Sequence, residues 1–95
     1  MGNMDTFTLT NTVETDDSWI FDIELDGRNY RLKLDNDYLV HLAGNEVSPE
    51  VLVRASFEFL LEREPASSIL PEFKLSAIQD YFPDFEDTMQ RRFSQ

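Results

Sequence analysis

The sequence predicts an α+β fold: a three-stranded antiparallel β-meander in its first third, packed on a central helix at about 49–63, with C-terminal helices closing the far side. Three observations carry this. Apolar residues alternate in three successive runs, the period becomes helical after residue 35, and PEVLVRASFEFLLERE is apolar around most of its circumference. With 95 residues and 41% hydrophobic content, residues 1–95 read as a single domain with room for one core.

The first strand, 6–13, sets Phe7, Leu9 and Val13 against Thr6, Thr8, Thr10 and Thr12. After the polar break Glu14 to Ser18, a second strand sets Trp19, Phe21, Ile23 and Leu25 against Ile20, Asp22 and Glu24. The third, 28–35, follows the turn signal Asp26-Gly27 and sets Tyr30, Leu32 and Leu34 against Arg31 and Lys33. Two hairpin registers keep the faces matched. A two-residue turn places Asp22 opposite Arg31; a four-residue loop places Glu24 opposite Arg31 and Asp22 opposite Lys33, and its two opposite-charge pairs favour it. A meander leaves strands 6–13 and 28–35 as edges. The first has no charge from Thr6 to Val13, so a homodimer through this edge strand is expected.

Asp37 can cap a short helix through Tyr38, Leu39 and Leu42, with Gly44 ending it. In the central helix Leu52, Val53, Phe57, Phe59, Leu60 and Leu61 cover roughly 200° of the wheel, and Arg54, Glu58 and Glu62 occupy the rest. Ser48 is placed to cap it, Pro49 suits its first position, and Pro65 disfavours helical geometry at Glu64. Arg63, on the side of Leu52 and Phe59, is expected to cover apolar surface with its stem and to satisfy terminal carbonyls or an acid such as Glu72. Ile69 and Leu70 then return apolar weight to the core. Ser76 to Gln79 has capping-box spacing and opens a helix that Pro83 either kinks or ends. Phe85, Met89 and Phe93 follow at helical spacing, with Asp84, Glu86 and Asp87 in the first turn and Arg91 and Arg92 in the last.

Nineteen acids against eight bases give a formal charge of −11, which opposes attraction to nucleic acid or an anionic membrane and favours a basic protein as partner. Arg28, Arg31 and Lys33 concentrate positive charge, but cross-strand pairing with Asp22 and Glu24 accounts for them. There is no cysteine, and three glycines cannot build a phosphate cradle. The lone His41 has neither a nucleophile motif nor a second imidazole to complete a catalytic or metal site. The expectation is therefore no enzyme, no metal and no cofactor. Met1 to Phe7 lacks a signal-peptide pattern and no apolar run approaches membrane-spanning length, so a soluble cytoplasmic protein is expected.

Ser56-Phe57, Glu62-Arg63-Glu64-Pro65 and Tyr81-Phe82-Pro83 sit within SFEFLLEREP, SSIL and YFPDF. Over residues 45–86 the chain resembles a group of small bacterial proteins sharing the run SFxFLLEREPxxSIL…YFPxF. The resemblance implies a bacterial or similar origin and no activity or site residue. Function is thus expected to be that of a small acidic, non-enzymatic protein-interaction module. The alternative is an antitoxin- or inhibitor-like protein that neutralises a basic partner. If the last helix runs on across Pro83, Phe82, Phe85, Met89 and Phe93 form one stripe and Asp80, Asp84 and Asp87 project from the opposite side. Those three carboxylates are the candidate partner-binding residues.

Overall fold

Alternation builds the sheet and a positive-φ turn sets its register. The computed structural model describes residues 7–93, so the expected strand start at Thr6 lies outside the described residues. Its α+β architecture comprises β1 (Thr8–Glu14), β2 (Ser18–Leu25), β3 (Arg28–Asp35), α1 (Asn36–Ala43), α2 (Pro49–Arg63), a 3-10 turn (Ala66–Ser68), β4 (Glu72–Lys74), α3 (Ala77–Tyr81) and α4 (Phe85–Phe93).

Strands β1, β2 and β3 form the antiparallel meander, but the favoured four-residue loop is replaced by the two-residue turn. Leu25 pairs with Arg28, Ile23 with Tyr30 and Phe21 with Leu32. Asp26 and Gly27 both take positive φ, 53° and 79°, the twist that a tight hairpin between right-handed strands requires. Turn geometry outweighs the second charge pair of the longer loop. The observed register keeps one pair, Arg31 Nε to Asp22 Oδ1 at 2.9 Å.

A second departure lies in β1, where the register slips by one residue between Leu9 and Asn11. This bulge at Thr10, whose hydroxyl donates to the Asp22 carbonyl at 3.3 Å, reverses the expected faces beyond it. Thr12 pairs with Phe21, and Val13 pairs with Ile20 on the outer face instead of joining Leu9. The third departure is β4, three residues too short to show alternation, which adds parallel to β3 with Phe73 beside Leu32. The sheet is therefore four-stranded and mixed, in the order β1-β2-β3-β4. Strand β3 is no edge over Arg31 to Lys33. A parallel neighbour needs a crossover, and α1 and α2 supply it.

Helix α2 covers the inner face as its periodicity predicts. Ser48 Oγ accepts from the Val51 N–H, Pro49 opens the helix, and Glu64 leaves it in an extended conformation. Leu52, Val53, Phe57, Phe59 and Leu60 are buried. Phe57 meets the rings of Phe7 and Tyr30 edge-on at 4.9 and 5.1 Å. Buried Ser56 donates to the Leu52 carbonyl one turn back at 2.8 Å, which satisfies its hydroxyl. Helix α1 begins earlier than expected: Asp35 is the cap residue, without a side-chain cap bond, and Asp37 sits in the first turn. Gly44 ends it at φ 82°.

Pro83 separates α3 from α4, so the C-terminal segment is two short helices and not one kinked one. Ser76 is itself in helical conformation and makes no capping bond. Gln79, its expected capping-box partner, instead reaches forward: Nε2 donates to the Pro83 carbonyl at 2.6 Å and Oε1 accepts from the Glu86 N–H at 2.8 Å. One helix thereby caps the next. Phe85 and Met89 are buried, and Phe82 and Phe93 pack at the core margin. Among the described residues no helix is long and apolar enough to cross a membrane.

Truncation of Phe57 to Ala, at 0% exposure, should cost about 3–5 kcal/mol. The neighbouring Glu58 is exposed, its contact with Arg92 is a 3.7 Å surface pair, and its replacement by Ala should change stability by under about 0.5 kcal/mol. Urea unfolding of the two variants separates these values; equal stabilities would place α2 in a different rotation.

Candidate functional site

The chain after α2 must reverse, and the reversal leaves an opening in the surface. Pro65 ends the helix, the 3-10 turn follows, Pro71 directs the chain into β4, and α3 returns across the end of α2. Between these segments lies a groove of about 330 Å³ lined by Leu60, Glu64, Ile69, Leu70, Phe73 and Tyr81, among others. Its floor is core: Leu60, Ile69 and the adjoining Ile78 are buried. Its lips are not, since Leu70 is 52% and Tyr81 68% exposed. Exposed large apolar side chains beside an apolar concavity are the arrangement expected of a binding surface. Ile69 and Leu70 do not return to the core together as expected: Ile69 is buried and Leu70 faces out, and in the adjacent aromatic pair Phe82 packs against the core while Tyr81 faces out.

Glu64 is the one charged side chain among the described residues that line this groove. The adjacent cation is held elsewhere. The guanidinium of Arg63 lies 3.6 Å from the Phe59 ring centroid and bonds Asp84 Oδ2 at 2.9 Å, with Glu62 at 3.7 Å. It covers apolar surface as expected, but its acids are Asp84 and Glu62 in place of Glu72. Cation–π stacking and the ion pair together fix it against α4.

The three candidate carboxylates do not form one free acidic face. Asp84 is engaged by Arg63, and Asp87 pairs with Arg91 one turn along α4. Asp80 is exposed on the flank of α3, about 60° around the helix from Ala77, a groove residue. The break at Pro83 leaves Asp80 on α3 and Asp87 on α4, with Asp84 between the two helices.

Two polar clusters lie away from the groove. On the outer sheet face, Arg31 stands between Asp22 and Glu72 in neighbouring strands, and its bond to Asp22 holds that carboxyl below its ordinary range. Of the expected cross-strand pairings this is the one observed: Glu24 lies opposite Asn29, and Lys33 opposite Ile20. Between α1 and α4, Tyr38 Oη donates to Glu86 Oε2 at 2.8 Å, and His41 Nε2 stands 3.5 Å from Glu86 Oε1. Gln90 adds a bond to the His41 carbonyl at 3.2 Å. The cluster clasps two helices, and its histidine is exposed. Among the described residues no group of three or more metal-ligating side chains converges.

Comparison with protein-family models, with curated proteins and with solved structures gives no match.

Burial, then the hydrogen bond to Glu86, raises the pKa of Tyr38 far above the ordinary phenol range. A folded-state pKa above the unfolded one means that the contribution is complete below about pH 10 and is lost as pH rises beyond it. Replacement of Tyr38 by Phe should cost about 1–2 kcal/mol at pH 7. The gap between the two proteins should close above about pH 10, where the Tyr38 phenol of the unfolded chain ionises; the titration of Tyr30 is common to both proteins and cancels. Chemical unfolding at pH 7, 9 and 11 reads this directly; a gap independent of pH would show that the phenol's proton is not held by the fold.

Proposed function

We propose that this protein is a non-enzymatic interaction module that holds a basic, amphipathic segment of a partner protein in the groove between α2, β4 and α3. The observation that supports the reading is the groove with its outward Leu70 and Tyr81, apolar throughout apart from Glu64 and Ser68, on a chain of charge −11. Apolar anchors from the partner would displace water from Leu60, Ile69 and Phe73, and its Lys or Arg side chains would meet Glu64 and Asp80 at the rim. Among the originally expected carboxylates, Asp80 keeps a direct role in this reading. Asp84 and Asp87 contribute to the long-range field, because each already holds an arginine.

Neutralisation of a basic partner, in the manner of an inhibitor or antitoxin, is one outcome of the same contact. An acidic field would speed the encounter, and the apolar groove would set the residence time.

Copurification from native cells should retain a basic protein in stoichiometric amount. Leu70→Asp should abolish its retention, and Tyr81→Ala should weaken it by roughly tenfold or more, both with little change in melting temperature because the two side chains are largely exposed. Glu64→Lys should slow association and flatten its dependence on salt. Retention unaffected by Leu70→Asp and Tyr81→Ala would remove the groove from the function.

A further inference from the structure

The other open surface is the free edge of β1, whose chemistry differs from the rest of the molecule. Most of the exposed surface belongs to a chain of charge −11 and repels a second copy of itself. From Thr8 to Val13 the strand carries no charge, its side chains are exposed apart from half-buried Leu9, and its outer side presents Val13 at 45% exposure beside Ile20 on β2. Of the two acids that β2 sets behind this edge, Asp22, opposite Asn11, is paired with Arg31, and Glu24 lies at the far end, opposite Thr8. The opposite edge of the sheet, by contrast, is blunted: β4 has three residues, follows Pro71 and carries Glu72 and Lys74.

We infer that β1 is a homotypic interface, pairing antiparallel with β1 of a second copy about a two-fold axis at Thr12 to join two four-stranded sheets into one. In this register Thr12 meets Thr12 of the partner subunit, Asn11 meets Val13 of the partner subunit, and each Glu14 lies opposite Thr10 of the other chain. The choice is set by faces and charge. An axis at a residue keeps side chains on matching faces, and one at Thr12 stays on the regular side of the bulge between Leu9 and Asn11. It also separates the two Glu14 side chains by four strand positions, roughly 13 Å, which exceeds the screening length of about 8 Å at physiological salt. An axis at Val13 would bring them to within about 7–8 Å. Thr–Thr contact at the axis and cover for Val13 supply the side-chain contribution, and the unpaired backbone groups of the edge supply the rest. The interface is independent of the groove, which lies beyond the opposite edge of the sheet.

Sedimentation equilibrium of the full chain from about 10 μM to about 1 mM tests it. A reversible monomer–dimer equilibrium is expected that tightens as salt is raised, since salt screens the repulsion between two acidic copies. Thr12→Asp and Thr12→Lys should each weaken the dimer about fivefold at moderate salt by placing like charges across the axis. Their equimolar mixture should recover wild-type association or better, because the mixed dimer pairs opposite charges. Leu70→Asp should leave the dimer unchanged. A monomer throughout this range, a dimer indifferent to charge at Thr12, or weakened variants that do not recover on mixing would each overturn the interface.

Discussion

The ring of Phe57 is the contact through which sheet register, helix rotation and the groove constrain one another. It is fully buried between Phe7, entering β1, and Tyr30, near the start of β3. Tyr30 can reach it because the two-residue turn pairs Tyr30 with Ile23; the longer loop would have moved the ring to the level of Leu25, one pair or about 7 Å along the sheet. The same tyrosine donates its hydroxyl to the Ala66 carbonyl at 2.8 Å, tying the sheet to the turn after α2 across 36 residues. A buried phenol without an acceptor would be costly, so the placement of Ala66 follows from the position of Tyr30. The mouth of the groove begins at that turn. Its shape is thus set by hairpin geometry some 40 residues earlier in the chain, through one aromatic stack and one hydrogen bond.

Two prolines convert that constraint into a surface. Without Pro65 a continued α2 would carry Leu70 on its apolar arc, in line with Leu52, and Ile69 on its polar strip between Glu58 and Glu62. With it, the chain leaves α2 in extended geometry at Glu64, passes through the 3-10 turn and is extended again at Ile69, where adjacent side chains face opposite ways and only one of the two can turn inward. Ile69 does so, and Leu70 cannot. Pro83 acts similarly at the end of α3. It forces a second helix start, and the orphan N–H groups of that start need acceptors; Gln79 supplies one from the preceding helix. The break brings both Phe82 and Phe85 against Phe59, with centroids 6.0 and 5.1 Å away, and leaves Tyr81 without a place in the core. Groove lips arise where proline prevents apolar residues from completing a helical face.

Legibility in the sequence follows how many residues repeat the same message. Helix α2, with 15 residues, two end signals and an arc of apolar positions, was readable in its limits and its buried face. Three strands were readable because each alternates over several positions. The bulge at Thr10 was not, since a single inserted residue leaves threonines and asparagine on either reading of TLTNT; its effect appears only once Val13 is paired with Ile20. Strand β4 is three residues defined by the Arg31 N–H to Pro71 carbonyl bond at one end and the Leu75 N–H to Lys33 carbonyl bond at the other, a relation to β3 that no local pattern expresses. The candidate carboxylates were placed by assuming continuity across Pro83. Their spacing was right for a helix that does not exist there. The groove had a signal, namely Leu70 directly before Pro71 and two adjacent aromatics in Tyr81-Phe82, but composition alone does not say which member of each pair is turned out.

Charge then sorts the surfaces. Among the described residues, Arg31, Arg54, Arg63, Arg91 and Arg92 all bind acids of the same chain, five of its eight basic residues. These pairs stitch strand to strand, turn to turn and helix to helix, so most of the available positive charge serves internal contacts and the acidic excess faces solvent. An exposed pair contributes little to stability, and its larger effect here is on position: Arg63 is drawn over Phe59 toward Asp84 and away from Glu64. The groove is consequently apolar, with an acid that pairs with no base among the described residues, which suits a cation arriving from outside. Strand β1 carries no charge from Thr8 to Val13, which suits a surface identical to itself. Salt acts on the two in opposite senses, weakening attraction at the first and relieving repulsion at the second. One charge distribution thereby gives the two faces different chemical selectivity, and ionic strength is the variable that resolves them.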